Sequence, residues 1–273
     1  MPLIEMELVH PTAVVDPDAE IASDVRIGPY AIIEGAVIIG SGCVIESHAC
    51  LNGPMTMGRD NLVSHGAVLG KSPQHKNYRG EQTSLQIGDD NVFREHVTVH
   101  RGTLEGGGET TIGDRNMFMV GSHVAHDCRV GNGCTLVNGA LLGGHVTLDD
   151  GCILSGHTAV QQRVRVGRLA MLSGLGSTSK DVPPFVMQHG HNCVSGLNVV
   201  GLRRAGLSSE AINALRVAFR TLYKEGRALS AAIERIAGDL GHVAEVREFI
   251  TFVRESRLGI NPSREGERLR RTS

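Results

Sequence analysis

The sequence predicts a mainly β protein: a parallel β-helix of six-residue repeats, followed by a small α-helical domain. Three observations support this. An aliphatic residue recurs at every sixth position, glycine is abundant while aromatic residues are scarce, and the pattern changes to a helical period near residue 208. The 273 residues include 35 glycines, six phenylalanines, three tyrosines and no tryptophan, so bulky rings cannot fill an ordinary core of this size.

The six-residue period runs through most of the chain. It comprises Val9, Val15, Ile21, Ile27, Ile33, Ile39, Ile45, Leu51, Met57, Val63 and Leu69, then Ile87, Phe93 and Val99, then every sixth residue from Ile112 to Leu172. Such a period fits neither a helix nor one long strand, but it fits short strands joined by tight turns. Three hexads would form one coil, so residues 18 apart should lie roughly 4.8 Å from each other, the spacing of paired strands.

Two stretches interrupt the period, at residues 71–86 and 104–111. In repeat proteins such insertions become projecting loops, which often carry binding residues. The repeat is predicted to fade after Leu172, because Pro183 and Pro184 cannot continue a strand ladder.

The C-terminal part shows the signals of three helices. The first has Ser208 or Ser209 as its cap and Gly226 as its stop, and the others span about 229–240 and 243–256. We therefore divide the chain into a β-helix at 1–192 and a helical domain at 193–273, whose end from residue 261 is a polar and frayed tail.

Charge and cysteine content exclude several classes of function. The net charge is -2 and the pI about 6.7, which gives no electrostatic reason to expect a nucleic-acid partner. No apolar run is long enough for a transmembrane segment, and no signal peptide is evident, so we expect a cytoplasmic protein. The six cysteines form no C-x-x-C pair, which argues against a zinc ribbon or a disulfide framework.

The segment VGSHVAHDC, residues 120–128, brings reactive side chains together. Adding 18 to the position of His126 gives Gly144, with His145 beside it, so these residues should meet on adjacent coils. Histidine ionises near neutral pH, and we predict His126 to be a general base. Gly144 would present a backbone N–H that no side chain obstructs.

Other roles for this segment are weaker. A metal site would need a third converging histidine, so no metal is expected. Cys128 shares its hexad position with Cys134 and Cys152, which predicts an inward-facing side chain rather than a nucleophile. Surface histidines without a role are a further possibility. Asp127 could orient His126, but strand alternation places its side chain on the opposite face.

Several motifs resemble one family. They are HPTAVV, IGDDNVFREHVTVHRGT, GGGETTIGDRN, VGSHVAHDCRVGNGC, LLGGHVTLDD, KDVPPFV and GLNVVGLRRAGLSSEAI, and they are similar to the UDP-N-acetylglucosamine O-acyltransferases of lipid A biosynthesis. The resemblance implies a homotrimer of left-handed β-helices with active sites in the subunit clefts. It implies transfer of a 3-hydroxyacyl chain from acyl carrier protein to the 3-position of the UDP-sugar, without a cofactor.

The resemblance also assigns residues. It gives the general base to His126 and the oxyanion-stabilising N–H to Gly144. His123 and Gln162 match residues that contact the sugar, and His145 matches a residue that contacts the donor. Asn198 and Arg204 match residues near the nucleotide and its phosphates. Gly174 falls where the family limits the length of the acyl chain.

The chain departs from the family pattern around the acceptor pocket. His75 and Asn77 stand where an aspartate and a lysine are usual, Gln161 replaces a histidine, and Val200 replaces a glutamate. A 3-amino analogue of UDP-N-acetylglucosamine is therefore an alternative acceptor. Two other classes are an acetyl-CoA-dependent hexapeptide transferase and a non-catalytic β-helix such as an ice binder, which would show regular Thr or Ser arrays.

Overall fold

The computed structural model describes residues 8–263, in which 27 strands and four α-helices follow one another along the chain. The strands are β1 (Val14–Val15), β2 (Glu20–Ile21), β3 (Arg26–Ile27), β4 (Ile32–Glu34), β5 (Val37–Ile39), β6 (Val44–Ile45), β7 (Cys50–Asn52), β8 (Met55–Met57), β9 (Leu62–Val63), β10 (Val68–Lys71), β11 (Ser84–Ile87), β12 (Val92–Phe93), β13 (Thr98–His100), β14 (Glu109–Ile112), β15 (Met117–Phe118), β16 (His123–Val124), β17 (Arg129–Val130), β18 (Thr135–Leu136), β19 (Leu141–Leu142), β20 (Thr147–Leu148), β21 (Ile153–Leu154), β22 (Ala159–Val160), β23 (Arg165–Val166), β24 (Met171–Leu172), β25 (Ser177–Thr178), β26 (Val186–His189) and β27 (Cys193–Leu197). The helices are α1 (Val199–Arg204), α2 (Ser209–Tyr223), α3 (Leu229–Leu240) and α4 (Ala244–Glu255).

The strands form three sheets, and each coil contributes one strand to each sheet. The first sheet takes every third strand from β1 to β25, the second from β2 to β23, and the third from β3 to β24 and then β26 and β27. Val14 pairs with Ile32, 18 positions later, and the pairing is parallel. This confirms the predicted 18-residue coil.

Two coils are longer because they contain the insertions. Val68 pairs with Thr98, 30 positions later, and Thr98 pairs with His123, 25 positions later. The extra residues form loops at 72–83 and 101–108, between the first and second sheets, and not at the predicted 71–86 and 104–111, because residues 84–86 and 109–111 already belong to β11 and β14. Both insertions therefore project from the same corner of the β-helix, one from each of two neighbouring coils.

A left-handed backbone conformation recurs at the corners. Every sixth residue from Arg115 to Leu175 has a φ between 54° and 68°, whether it is glycine or not. Each such residue turns the chain from one sheet to the next, and non-glycine residues adopt this conformation only where the surrounding structure enforces it. Side chains at these corners therefore do not follow the alternation of a strand.

The predicted hexad positions form the core. From Ile27 to Leu172 these residues are all at least 95% buried, and Phe93 stacks on Phe118 with ring centroids 4.8 Å apart. Another corner holds a column of buried asparagines. Asn91 donates hydrogen bonds to the side-chain oxygen of Asn61, and Asn116 donates to the side-chain oxygen of Asn91. Cys134 and Cys152 continue this column, so they pack inside as predicted.

The ladder extends past the two prolines, contrary to the sequence prediction. Met171 of β24 pairs in parallel with Met187 of β26, 16 positions later, so the last coil is shortened rather than lost. β26 then pairs antiparallel with β27. Strand β27 lies beyond residue 192, and the domain boundary placed there stays a prediction.

The three predicted helices correspond to α2, α3 and α4, and Ser208 caps α2 through its side chain, which accepts a hydrogen bond from the Ala211 N–H. Helix α4 packs back on the β-helix, where Arg168 donates to both carboxylate oxygens of Glu248. Within residues 8–263, none of the helices is both long and apolar enough to cross a membrane. Most of the predicted polar tail, residues 264–273, lies outside the described part of the chain.

Candidate active site

The candidate site lies at the corner between the first and second sheets. His126 follows β16, and Gly144 and His145 follow β19, one coil further on. The His145 N–H donates to the carbonyl oxygen of His126 at 2.9 Å. The coil spacing therefore places His126, Gly144 and His145 side by side, as the sequence register indicated.

Asp127 is bonded to His126. The Nδ1 atom of His126 lies 2.6 Å from Oδ2 of Asp127, whose side chain is fully buried. The expectation that Asp127 faces away from His126 was wrong. Asp127 is a corner residue with a φ of 61°, so strand alternation does not apply to it. Since the carboxylate accepts the Nδ1 proton, Nε2 of His126 remains as the basic nitrogen.

Loop 101–108 covers the Asp127 carboxylate. The Thr103 N–H donates to Oδ1 at 2.7 Å, and the Thr103 hydroxyl donates to Oδ2 at 2.7 Å. A Cβ on Gly106 would overlap the carboxylate, so the loop lies in direct contact with it. With two donors from Thr103 and one from His126, this buried carboxylate has the partners that a charge needs.

Gly144 lies against the imidazole of His126. A Cβ at this glycine would be 2.6 Å from Cε1 and 2.8 Å from Nε2 of His126, so no larger residue fits without moving the ring. Within residues 8–263, the Gly144 N–H takes part in none of the hydrogen bonds. It remains available to a ligand at the place where His126 presents Nε2.

Further imidazoles surround His126. Its ring centroid lies 5.3 Å from that of His75 and 5.2 Å from that of His145, and both pairs are edge-on. The neighbouring pair of His100 and His123 has a separation of 5.4 Å. Five histidines therefore line one corner of the β-helix.

Burial keeps several of these imidazoles neutral. It lowers the pKa of His123 to about 4, with smaller contributions from His100 and His126. Burial also lowers the pKa of His145, against an opposing effect of Asp127, and the pKa of His100. Burial therefore disfavours a proton on His123, His145 and His100.

Loop 72–83 carries His75 and is held by hydrogen bonds from His100 and Arg101. The guanidinium of Arg101 donates to the carbonyl of Gly53 at 2.7 Å and to the hydroxyl of Tyr78 at 3.0 Å, and His100 donates from Nδ1 to the Ser72 carbonyl at 2.6 Å. These bonds hold the loop so that His75 reaches His126. Asn77 is exposed on the same loop.

The geometry permits a metal but does not favour one. Among residues 8–263, His126, Asp127 and His145 offer ligand atoms that lie within 4.8 Å of one another. Both oxygens of Asp127 already accept hydrogen bonds from Thr103 or His126, which a cation would have to displace. The expectation of no metal stays a prediction.

Cys128 is inaccessible. It is completely buried, its thiol donates to the Gly143 carbonyl at 3.2 Å, and burial raises its pKa to about 12. A thiolate nucleophile is therefore disfavoured at this position.

The remaining predicted residues are dispersed. Gln161 and Gln162 lie exposed at the same corner, one coil beyond Gly144. Gly174 instead lies at the corner between the third and first sheets, while Asn198 caps α1 and donates to the Leu169 carbonyl at 3.0 Å. Arg204 ends α1 and is exposed, as is Val200 on the same helix. Within residues 8–263, none of Gly174, Asn198 and Arg204 contacts His126.

Sequence reasoning missed the role of Thr103 and of Thr98, which shares a 2.7 Å hydrogen bond with Nδ1 of His123. The pairing of Thr98 could have been found, since the two residues occupy the same position on adjacent coils. Thr103 lies in an insertion, where the hexad register gives no position.

A β-helix of six-residue repeats with an imidazole–carboxylate pair at one corner defines a hexapeptide-repeat transferase. The family model for bacterial transferase hexapeptides (six repeats) matches residues 18–53 and 109–144. A second, described as Udp N-acetylglucosamine O-acyltransferase, Domain 2, matches residues 181–261.

Known proteins are similar over nearly the full length. The acyl-acyl-carrier-protein–UDP-N-acetylglucosamine O-acyltransferase of Halorhodospira halophila (strain DSM 244 / SL1) is 44% identical over 256 residues, which cover 93% of this chain and 99% of that protein. The structure of LpxA from Acinetobacter baumannii is 38% identical with a TM-score of 0.90, covering 93% of this chain and 99% of that one. The UDP-N-acetylglucosamine acyltransferase of Francisella novicida is 33% identical with a TM-score of 0.90, covering 95% of both chains.

The chain belongs to the UDP-N-acetylglucosamine O-acyltransferase family. The predicted fold class, a left-handed parallel β-helix of hexapeptide repeats with a small C-terminal α-helical domain, is thereby confirmed.

Proposed function

We propose that this protein transfers a 3-hydroxyacyl chain from acyl carrier protein to the 3-hydroxyl of UDP-N-acetylglucosamine, the first step of lipid A biosynthesis. Its relatives are named for this donor and acceptor. The single observation that carries the chemistry is the pair of His126 and Asp127, which holds a proton on Nδ1 and leaves Nε2 free beside Gly144.

His126 is the general base in this reaction. Its Nε2 takes the proton of the acceptor hydroxyl as the oxygen attacks the carbonyl carbon of the thioester. The carboxylate of Asp127, 2.6 Å from Nδ1, stabilises the imidazolium that forms. When the carbon–sulfur bond breaks, the same proton passes from His126 to the departing thiolate of the carrier. Base and acid are thus one residue, and no cofactor is needed.

Gly144 stabilises the negative charge of the tetrahedral intermediate. The carbonyl oxygen becomes an oxyanion when the hydroxyl adds, and a backbone N–H aimed at it lowers the barrier. The Gly144 N–H is uncommitted among the described hydrogen bonds and lies where His126 presents its base. A glycine at this position lets the N–H and the imidazole approach the same reacting group.

We infer that the protein acts as a homotrimer. The outward side chains along the third sheet are mostly apolar and half-exposed: Val44, Leu62, Val92, Met117, Ile153 and Met171. The first sheet adds Ile32 and Leu141, which are 41% and 46% exposed. Apolar faces of this extent usually mark an interface. A neighbouring copy would also supply the predicted site residues that one chain keeps away from His126, namely Gly174, Asn198 and Arg204.

The other site residues surround the acceptor and donor in this proposal. His75, Asn77, His123, Gln161 and Gln162 are acceptor contacts. His145 contacts the acyl donor, Gly174 limits acyl length, and Asn198 and Arg204 bind the nucleotide and its phosphates. We place the reaction in the cytoplasm, where acyl carrier protein would meet the sugar nucleotide.

The test is a transfer assay with purified protein and 3-hydroxyacyl-acyl carrier protein. UDP-N-acetylglucosamine and its 3-amino analogue are offered separately, acetyl-CoA is tested as an alternative donor, and products are identified by mass spectrometry. O-acylated UDP-N-acetylglucosamine is the expected product. Turnover of the amino analogue alone would replace the acceptor assignment, transfer from acetyl-CoA alone would replace the donor assignment, and no turnover of any combination would refute the proposed function.

A further inference from the structure

The insertion at 101–108 lengthens one coil from 18 to 25 residues. Its residues cover the buried carboxylate of Asp127. Within this insertion, Thr103 is 5% exposed and contacts the carboxylate directly. The Thr103 N–H bonds Oδ1 and the Thr103 hydroxyl bonds Oδ2, each at 2.7 Å. One residue therefore holds both oxygens of the carboxylate.

The hydroxyl of Thr103 is itself oriented. Its oxygen accepts a hydrogen bond from the Gly106 N–H at 3.2 Å, as the cap of a short 3₁₀ helix at Leu104–Gly106. With this acceptor role filled by Gly106, the hydroxyl proton points to Oδ2 of Asp127. The same oxygen atom accepts the Nδ1 proton of His126. Thr103 and His126 thus share one acceptor atom.

The loop is closed on the body of the β-helix. Gly106 packs on the carboxylate without room for a Cβ, and Glu105 forms a 3.2 Å ion pair with Arg163 on the coil that carries Gln161 and Gln162. The ion pair is exposed and contributes little energy by itself. The contact of Gly106 keeps water from Asp127, so the carboxylate depends on Thr103 and His126 for its hydrogen bonds.

We propose that Thr103 is a positioning residue for the acyl transfer, which fixes Asp127 and thereby the orientation and proton affinity of His126. This rests on the proposed role of His126 as the base. Without the hydroxyl, Oδ2 loses one of its two donors and the carboxylate becomes a stronger acceptor toward His126. A proton on the His126 imidazole is then favoured, and the Asp127 carboxylate that orients this imidazole is held less firmly.

Other groups face the same pair, and their contributions must stay constant in the test. They are His75 from the loop at 72–83, His145 from the next coil, His123 and His100 from the first sheet, and the ion pair of Glu105 with Arg163. Thr103→Val removes the hydroxyl and keeps all of these groups in the chain, but it also removes the acceptor of the Gly106 N–H, which caps the short 3₁₀ helix that carries Glu105. Thr103→Ser keeps the hydroxyl and serves as the rescue variant.

A matched control is available in Thr158→Val. Thr158 is fully buried at a different corner, and its hydroxyl has no hydrogen-bond partner among residues 8–263. This variant makes the same chemical change inside the β-helix without touching Asp127.

We expect Thr103→Val to lower kcat about tenfold or more while KM for both substrates stays within about twofold. The acid limb of the kcat/KM profile should move about 0.5–1 pH unit upward. Thr103→Ser should restore both, and Thr158→Val should change neither. A wild-type acid limb in Thr103→Val, or an equal loss in Thr158→Val, would overturn the role of Thr103.

A second measurement does not depend on turnover. A proton shared between His126 and Asp127 should give a low-field proton resonance, identified by its absence in Asp127→Asn. We expect Thr103→Val to shift this resonance and Thr158→Val to leave it in place. An unshifted resonance in Thr103→Val would contradict the proposed role of Thr103. If the wild-type protein is inactive in the transfer assay but Thr103→Val still shifts the resonance, only the proposed reaction is contradicted.

Discussion

His126 and Asp127 are consecutive residues, yet the Nδ1 atom of His126 lies 2.6 Å from Oδ2 of Asp127. In a strand, consecutive side chains point to opposite faces, and such a bond would not form. It forms because the chain turns at Asp127, which has a φ of 61°, between the first and second sheets. The corner of the β-helix is therefore what creates the pair.

Replacing Asp127 tests this pair. In Asp127→Asn the new amide can donate to Nδ1 of His126, which would move the imidazole proton to Nε2 and block the base. We expect kcat to fall by about 10² to 10⁴ with the fold retained. The measurement is steady-state transfer from acyl carrier protein, together with circular dichroism and gel filtration.

Asp150→Asn is the control for that change. Asp150 lies exposed at another corner, where Oδ1 accepts from the backbone N–H of Asn132 at 2.7 Å, a bond that an amide oxygen can keep. Full activity of the control beside a loss in Asp127→Asn is expected. Similar activities of both variants would exclude a role for the Asp127 charge.

Removing the imidazole of His126 tests the base itself. We expect His126→Ala to reduce kcat/KM by at least about 10² to 10⁴, because His126 makes the 2.6 Å hydrogen bond to Asp127, whereas Nε2 of His145 lies 3.6 Å from the same oxygen. The rate is measured with saturating carrier-linked donor. Near-normal turnover by a variant of unchanged assembly state would rule out His126 as the base.

The close approach of Gly144 to His126 gives a steric prediction. A methyl group at residue 144 would lie 2.6 Å from Cε1 of His126 and must displace the ring. We expect Gly144→Ala to lower kcat about 10²-fold or more, since both the proposed base and the proposed oxyanion donor would be misplaced. Activity is compared with that of Gly238→Ala.

Gly238 lies in α3, and a Cβ there would meet no atom within 4 Å. Gly238→Ala should keep wild-type activity and gain about 0.5–1 kcal/mol of stability from its helix propensity. A fully active Gly144→Ala enzyme would show that the site tolerates displacement of His126.

The buried imidazole of His123 predicts a pH dependence of stability. Burial lowers its pKa in the folded protein to about 4, from an ordinary value of 6.5. Between these values the unfolded chain binds more protons than the folded one, so the free energy of unfolding decreases as the pH falls from 6.5 to about 4. Burial of His100 and His145 acts with the same sign.

We therefore expect the urea midpoint to fall between about pH 7 and about pH 4.5, and the fall to be smaller in His123→Gln. His157→Gln, which changes an exposed histidine at another corner, should leave the fall as it is in the wild type. An identical pH dependence in wild type and His123→Gln would refute the argument from burial.

Much of the fold could be predicted from the sequence because its order is local and repetitive. A hexad period fixes which residues point inward, and adding 18 to a residue number gives its neighbour on the next coil, as Val14 and Ile32 show. The same arithmetic placed Gly144 and His145 beside His126. The approximate bounds of α2, α3 and α4 followed from apolar spacing and the cap at Ser208, although α2 ends at Tyr223 and not at Gly226. The short helix α1 escaped notice because its six residues carry too little periodic signal.

Where the register stops, residue numbers no longer give positions. His75 and Thr103 lie in insertions whose shapes depend on distant partners, Arg101 for the first loop and Asp127 for the second. The sequence by itself thus determined the β-helix, its core and the placement of Gly144 and His145 beside His126, because short-range periodicity encodes all three. Only the tertiary structure decided that Asp127 is hydrogen-bonded to both His126 and Thr103, because corner geometry and loop closure arise from contacts between residues far apart in the chain.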